Sequence, residues 1–337
     1  MGNSTWHKGS MKSYLLGTSI AVFSLPGLMT NLLVLWVIVK GGLLTHRDRG
    51  VVIYILMASL CVGDVITLSL LIGYLAPSAA LQIELMPTGF EALPGDIFLV
   101  CWYHMWCMLT VIGVNRYIAI CRIHLYRIIF TRRSTWITVA VSWLAAMLIW
   151  THFLWMPCCR FYISYVVYSF MWEEGASSER NVGDLLIEWP GNSLTSLALL
   201  FCYSNVVRTV FKSGKIVGPT INREQATQRR RDKRLAVQFS VISLVYTMVW
   251  VLFRIFPVLI GPGPLEAYIV VAYFVILNSS INPFLYLKYT SDIKRTLKEL
   301  LGHQTNSVTG AGTGKNRVAA TIRQRRNSKS EAVVEIG

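Results

Sequence analysis

A few ionisable and strongly polar residues stand inside or at the ends of long apolar runs, and any chemistry must be sought there. Asp64, in Leu60-Cys61-Val62-Gly63-Asp64, is flanked on both sides by uncharged residues. A carboxylate removed from water must be paired, protonated, hydrogen-bonded or ion-bound, because burying it bare is expensive. It reads either as a hydrogen-bond hub or as a site for a small cation. Arg116, in Asn115-Arg116-Tyr117, follows the mostly uncharged stretch from Ile97 to Val114, after which the chain turns basic. A guanidinium at a bilayer centre would cost roughly 2.5–3.5 kcal/mol, so this one belongs where hydrocarbon meets water, whether as a snorkelling side chain or as a working part. Arg254 comes one turn after Trp250, and directly after Phe253, in another apolar run. It reads as a contact for an anionic ligand, an internal salt bridge or a snorkelling side chain. Asn31 is an amide that needs a partner on a neighbouring helix. The stretch Asn278-Ser279-Ser280-Ile281-Asn282-Pro283-Phe284-Leu285-Tyr286 gathers polar groups around a proline, which breaks the helical ladder and frees carbonyls for those groups to satisfy.

Catalysis does not fit this inventory. No nucleophile–base pair lies at pocket depth, and the seven cysteines show neither CxxC pairing nor His/Cys spacing for zinc. The chain reads as a protein without enzymatic activity or cofactor.

The elements that must position these residues are membrane helices. Of 337 residues, 54% are hydrophobic and only 15% charged, with a mean hydropathy of +0.49. Apolar runs of about 20 residues, at 1.5 Å rise each, are long enough to cross a hydrocarbon core of ~30 Å. Seven such spans are expected, at 14–39, 51–76, 96–121, 135–157, 188–211, 235–260 and 267–289. Backbone groups in lipid must be satisfied internally, so these are helices.

Charge placement orients them. The segments after spans one, three and five carry Lys40, Arg47 and Arg49, then Arg122, Arg127, Arg132 and Arg133, then the run Arg229-Arg230-Arg231-Asp232-Lys233-Arg234. The opposite loops carry Glu84, Glu91 and Asp96, then Glu173, Glu174, Glu179, Asp184 and Glu188. Positive-inside sorting puts the N-terminus outside and the tail in the cytoplasm. The formal charge of +15 therefore reflects inner anchoring beside anionic lipid and not a nucleic-acid partner. The expected architecture is an all-α seven-helix membrane bundle over residues 14–290, after an extracellular tail (1–13). An amphipathic interfacial helix follows at 291–301, where Ile293, Leu297, Leu300 and Leu301 oppose Lys294, Arg295 and Lys298. A disordered cytoplasmic tail (302–337) completes it. Asn3-Ser4-Thr5 is a glycosylation sequon on the outside, and Arg325-Arg326-Asn327-Ser328 presents Ser328 as a phosphorylation site.

These residues together resemble the rhodopsin-like (class A) G-protein-coupled receptors. Asn282-Pro283-x-x-Tyr286 matches that family's seventh-helix motif in full. Asn31-x-x-Val34, Leu60-x-x-x-Asp64, Asn115-Arg116-Tyr117, Trp143, Tyr203 and Tyr246-x-x-x-Trp250 match others in order. The resemblance implies a plasma-membrane receptor that carries an extracellular ligand signal to heterotrimeric G proteins, with arrestin and kinase acting at the tail. It gives Asn115, Arg116, Tyr117, Tyr203, Asp232, Tyr246, Asn282, Pro283 and Tyr286 roles in activation and coupling, with Asp232 as a cytoplasmic partner for Arg116. It gives Asn31, Asp64, Asn278, Ser279 and Asn282 a sodium or polar network, and Phe98, Leu99, Trp102, Trp250, Phe253 and Arg254 the ligand pocket. Several positions depart from the family pattern. Asn115 replaces an acid, Phe98 replaces the amine-binding aspartate, Met105 replaces a sodium-site serine, and Glu91 stands where the loop disulfide's helix-3 cysteine belongs. Cys101 then becomes the candidate partner for Cys158 or Cys159, the alternative being free thiols. Losing the amine aspartate while holding Arg254 leans the ligand toward an anionic or lipid small molecule. A transporter or channel, or a receptor-like scaffold that does not signal, is the competing reading.

Overall fold

A computed structural model describes residues 10–45, 51–155, 161–172, 184–215, 223–260 and 264–302, with only the backbone described at some helical positions. Helix α1 (Met11–Lys40) starts at Ser10, whose hydroxyl accepts from the Ser13 amide, as an N-cap should. Helix α2 (Val51–Leu70) runs through a π turn (Leu71–Leu75) into α3 (Ala76–Leu81), and Gln82 in the left-handed conformation ends it. Next come α4 (Leu93–Cys121), the short α5 (Ile123–Ile129) and α6 (Arg132–Trp155). A hairpin, β1 (Phe161–Ser164) and β2 (Ser169–Trp172), pairs antiparallel from Phe161↔Trp172 to Ser164↔Ser169. A π turn (Asp184–Glu188) leads into α7 (Trp189–Lys215), and α8 (Arg223–Ile260), α9 (Ile269–Tyr289) and α10 (Ser291–Leu300) follow.

The result is a seven-helix bundle. Met11–Lys40, Val51–Leu81, Leu93–Cys121, Arg132–Thr151 and Glu266–Tyr289 are long and apolar enough to cross a membrane. Helices α7 and α8, at 27 and 38 residues, exceed the length of about 20 that a crossing requires. Polar groups turn inward: Asn31, Asp64, Asn115, Asn192, Gln238, Asn278 and Asn282 are buried. Large apolar side chains turn outward, among them Phe23, Leu148, Leu194, Leu197, Phe201 and Leu244. That inversion is what a lipid solvent dictates, since apolar side chains lose nothing there while bare polar groups do.

Helix α4 is the central post, packing against α2, α6, α7, α8 and β1. Its approach to α7 depends on Gly191, where a Cβ would overlap the Trp106 ring. Gly191→Ala is therefore expected to destabilise the bundle by about 1–3 kcal/mol through overpacking, read as a lower melting temperature of the purified protein.

Several elements differ from the sequence reading. Helix α8 begins at Arg223, so much of the stretch read as a loop (212–234) is helical. Its Arg, Gln, Lys and Glu residues favour helix and need no lipid-facing surface, which carries the span on into the aqueous phase. Helix α5 and the hairpin had no strong periodic signal. Cys61, Cys101, Cys107, Cys121 and Cys202 are free thiols, so Cys101 forms no bridge; Cys158 and Cys159 lie outside the described residues. In the unit Met1–Leu297, α10 buries Ile293 and Thr296 and leaves Lys294 and Arg295 exposed. The described part of the second unit (Lys298–Gly337) ends the helix and turns at Gly302 with φ +74°.

Candidate functional site

Three polar or aromatic clusters follow one another from the hairpin end of the bundle, expected from loop charge to be the outer end, to the Arg116 end, expected to be the inner one. At the outer end, Phe98, Leu99 and Trp102 of α4 meet Trp250 of α8, Phe161 of β1 and Glu188 at the head of α7, around a cavity of about 10 Å³. Phe98 stacks on Trp102 at 6.0 Å, on Phe161 at 5.8 Å and on Phe170 at 4.3 Å between ring centroids. The hairpin can come this close because α4 offers Gly95, where a Cβ would overlap the Phe161 backbone. Tyr168, held at φ 55°, shares a 3.0 Å hydrogen bond with Ser13 of α1, and Gln82 donates to the Tyr165 carbonyl at 3.4 Å.

A buried chain of hydrogen bonds lies beneath. Tyr103 donates to Glu188 Oε1 at 3.1 Å, Asn192 Nδ2 donates to the Glu188 carbonyl at 2.9 Å, and Tyr246 donates to Asn192 Oδ1 at 2.7 Å. Glu188 is 5% exposed. The charge pattern counts Glu188 with the acids of an outer loop, whereas the structure buries it at the head of α7. The period of α7 could have placed Glu188 on the same face as Asn192, four residues on. Phe253 and Arg254 belong to α8, but their side chains lie outside the described set.

At mid-depth, Asp64, Thr67, His104, Met105, Asn278 and Ser279 are among the residues lining a second cavity of about 20 Å³, room for one water-sized body. Asn282 Nδ2 donates to Asp64 Oδ2 at 2.8 Å, and Asn278 Nδ2 points at the Met105 sulfur at 3.1 Å. Sodium favours several hard oxygen donors. Here a thioether stands on one side and Asp64 is already engaged by Asn282, so the set fits that ion poorly, and no step is derived through it. His104 is fixed between Ser59 and Ser142, at 3.0 Å each, and stacks on Trp143 at 3.9 Å. Asn31 Nδ2 donates to the Ser279 carbonyl at 3.0 Å. That carbonyl lies four residues before Pro283, so it is the acceptor the proline leaves free, and the helix-1 amide satisfies it.

At the inner end, Arg116 is 4% exposed and both its Nε and Nη2 donate to Asn115 Oδ1, the former at 3.0 Å. The side chain of Asp232 lies outside the described set, so the expected Arg116–Asp232 pair is not part of this geometry. Tyr203 and Tyr286 are buried, and Tyr286 packs on Phe239 at 6.1 Å. Tyr117 is only half-buried and lies 5.8 Å from Phe201. Tyr54 donates to Asp292 at 2.5 Å, tying α2 to the start of α10. Asn3 and Ser328 lie outside the described residues.

Comparison with known proteins agrees with this arrangement. The model of the seven-transmembrane receptor (rhodopsin) family matches residues 30–286. The alpha-1A adrenergic receptor of Oryzias latipes is 22% identical over 339 residues, covering 87% of this chain and 68% of that protein. The crystal structure of squid rhodopsin superposes with a TM-score of 0.70 at 16% identity, covering 90% of each chain, and shares the fold. With a family match that runs from Thr30 through Tyr286, the chain belongs to the rhodopsin family of seven-transmembrane receptors, multi-pass membrane proteins.

Proposed function

We propose that the chain is a plasma-membrane receptor that couples an extracellular ligand to heterotrimeric G proteins, its N-terminus outside and its basic loops and tail inside. The observation that carries this is Arg116, a buried cation at the foot of the central helix, latched to a neutral neighbour on its own helix. An arginine held this way can swing free at small cost once the inner ends of α4 and α8 part. Tyr203 and Tyr286, buried beside the same region, would supply hydroxyls to hold the open state. The mechanism is a population shift: agonist favours the conformer with an open inner end, and the G protein binds that conformer.

Arrestin and kinase recognition belongs to the tail, with Ser328 as a phosphorylation site, and Asn3 is a glycosylation site. The bundle over 14–290 is the signalling domain, with the helix at 291–301 against lipid. An anionic or lipid ligand rests on Arg254 together with Phe98 in place of the amine-binding aspartate. Guanine-nucleotide exchange in membranes expressing the chain tests the reading. Ligand-free exchange above control is expected, falling to background in Arg116→Ala at matched surface level. Exchange that Arg116→Ala leaves intact would contradict it.

A further inference from the structure

We infer that the hairpin β1–β2 is a displaceable lid that holds the receptor closed, its phenylalanines bracing α8 through a relay of rings. The inference rests on the receptor reading above and adds to it what keeps the closed conformer populated without ligand. Phe161 and Phe170 are buried, their ring centroids lie 6.0 Å apart, and both stack on Phe98 of α4. Phe98 stacks in turn on Trp102, and Trp102 lies 6.0 Å from the ring of Tyr246 of α8. Three successive ring contacts therefore connect Phe170 to the helix whose inner end must move. Tyr246 is fully buried and bonded to Asn192 of α7, so that end of the relay is fixed. In the same conformer Arg116 is latched to Asn115, and Phe239 of α8 packs on Tyr286 of α9. Ring contacts made in this conformer and lost when α8 shifts favour it, and opening waits on the lid.

Separable ties seat the lid. Strand β1 packs on α4, where Gly95 admits the Phe161 backbone, and β2 packs on α9. Gln82 donates to the Tyr165 carbonyl at 3.4 Å. Tyr168 sits in the hairpin turn at φ 55°, a costly conformation for a bulky side chain, and its hydroxyl shares a buried 3.0 Å hydrogen bond with Ser13 of α1. A strained turn held by such a bond relaxes when the bond parts, which suits a part that has to lift. The described cysteines are free thiols, so none of them staples the hairpin. What keeps the lid down is the cost of baring Phe98, Phe161 and Phe170 to water, and a ligand that covers those rings removes that cost.

Purified receptor, without G protein, is followed by hydrogen exchange and mass spectrometry over residues 238–246 of α8, with residues 34–40 of α1 as the control. Phe170→Ala is expected to speed uptake in α8 about threefold to tenfold, the range for the loss of one aromatic pair, and to leave α1 unchanged. Toluene at millimolar concentration fits the apolar space the ring vacates. It is expected to raise the melting temperature of Phe170→Ala but not of wild type, and to return α8 uptake to the wild-type rate. Tyr168→Phe removes only the hydroxyl that meets Ser13; it is expected to speed α8 uptake about threefold and stands in if Phe170→Ala does not fold. Unchanged α8 uptake in the folded variants overturns the inference. So does uptake that rises equally in α1, or toluene that leaves α8 of Phe170→Ala fast. Faster α8 uptake with no nucleotide exchange from any variant would uphold the lid and count against G-protein coupling instead.

Discussion

Replacing Asn282 with alanine is expected to cost the receptor about 2–3 kcal/mol, the range for a hydrogen bond to a charged group, whereas Asp64→Asn is expected to cost far less. Asn282 Nδ2 gives Asp64 a 2.8 Å hydrogen bond in a place where both residues are buried. Alanine at 282 removes that donor and leaves the buried carboxylate with the Ser279 hydroxyl as a remaining partner, beside the Met105 thioether. Asparagine at 64 removes the charge itself and can still accept from Asn282, and deleting a buried charge without leaving its partner stranded is often neutral or stabilising. The asymmetry is the test. Melting temperatures of the two variants, measured side by side in detergent, should separate clearly, with Asn282→Ala the lower. Equal losses would mean that the pair does not organise the junction of α2 and α9.

Asn115→Asp is expected to lower ligand-free nucleotide exchange about fivefold. In the wild type, Arg116 donates two hydrogen bonds to a neutral amide oxygen. An aspartate in the same place would make them charge-assisted, roughly twice as strong as neutral ones, adding about 1 kcal/mol to the latch. That increment, on the closed state alone, reduces the open population by about fivefold. Exchange assays on membranes with matched surface expression would read the change. Unchanged exchange would remove the latch from the account.

Much of the bundle was legible because lipid imposes a simple rule: long apolar runs must be helices, and their few polar residues must face one another. Asn31, Asp64 and Asn282 stood out in the sequence for that reason; all three are buried, Asn282 bonds to Asp64, and Asn31 bonds to the Ser279 carbonyl of the same helix as Asn282. The partner of Asn31 was less visible, because the Ser279 carbonyl becomes an acceptor only once Pro283 is placed in a helix. Phe98, Leu99, Trp102 and Trp250 were assigned to one pocket by resemblance, and they line one cavity. Glu188 was hidden by its position. It sits at a span boundary among other acids, where charge counting assigns it to the loop, and only the π turn before Trp189 turns it inward. Phe161 was hidden as well. Nothing in its local sequence signals that a two-stranded hairpin folds down onto α4, and Gly95 acquires a meaning only when the strand above it is present.

The most direct test of the central claim is physical capture of a G protein. Detergent-solubilised receptor is mixed with heterotrimers of each Gα class, nucleotide is removed enzymatically, and the complex is isolated by size. Wild type is expected to retain at least one heterotrimer in the nucleotide-free state, added GTP to release it, and Arg116→Ala to fail to retain it. Recovery from neither protein, or equal recovery from both, would contradict a coupling mechanism built on Arg116.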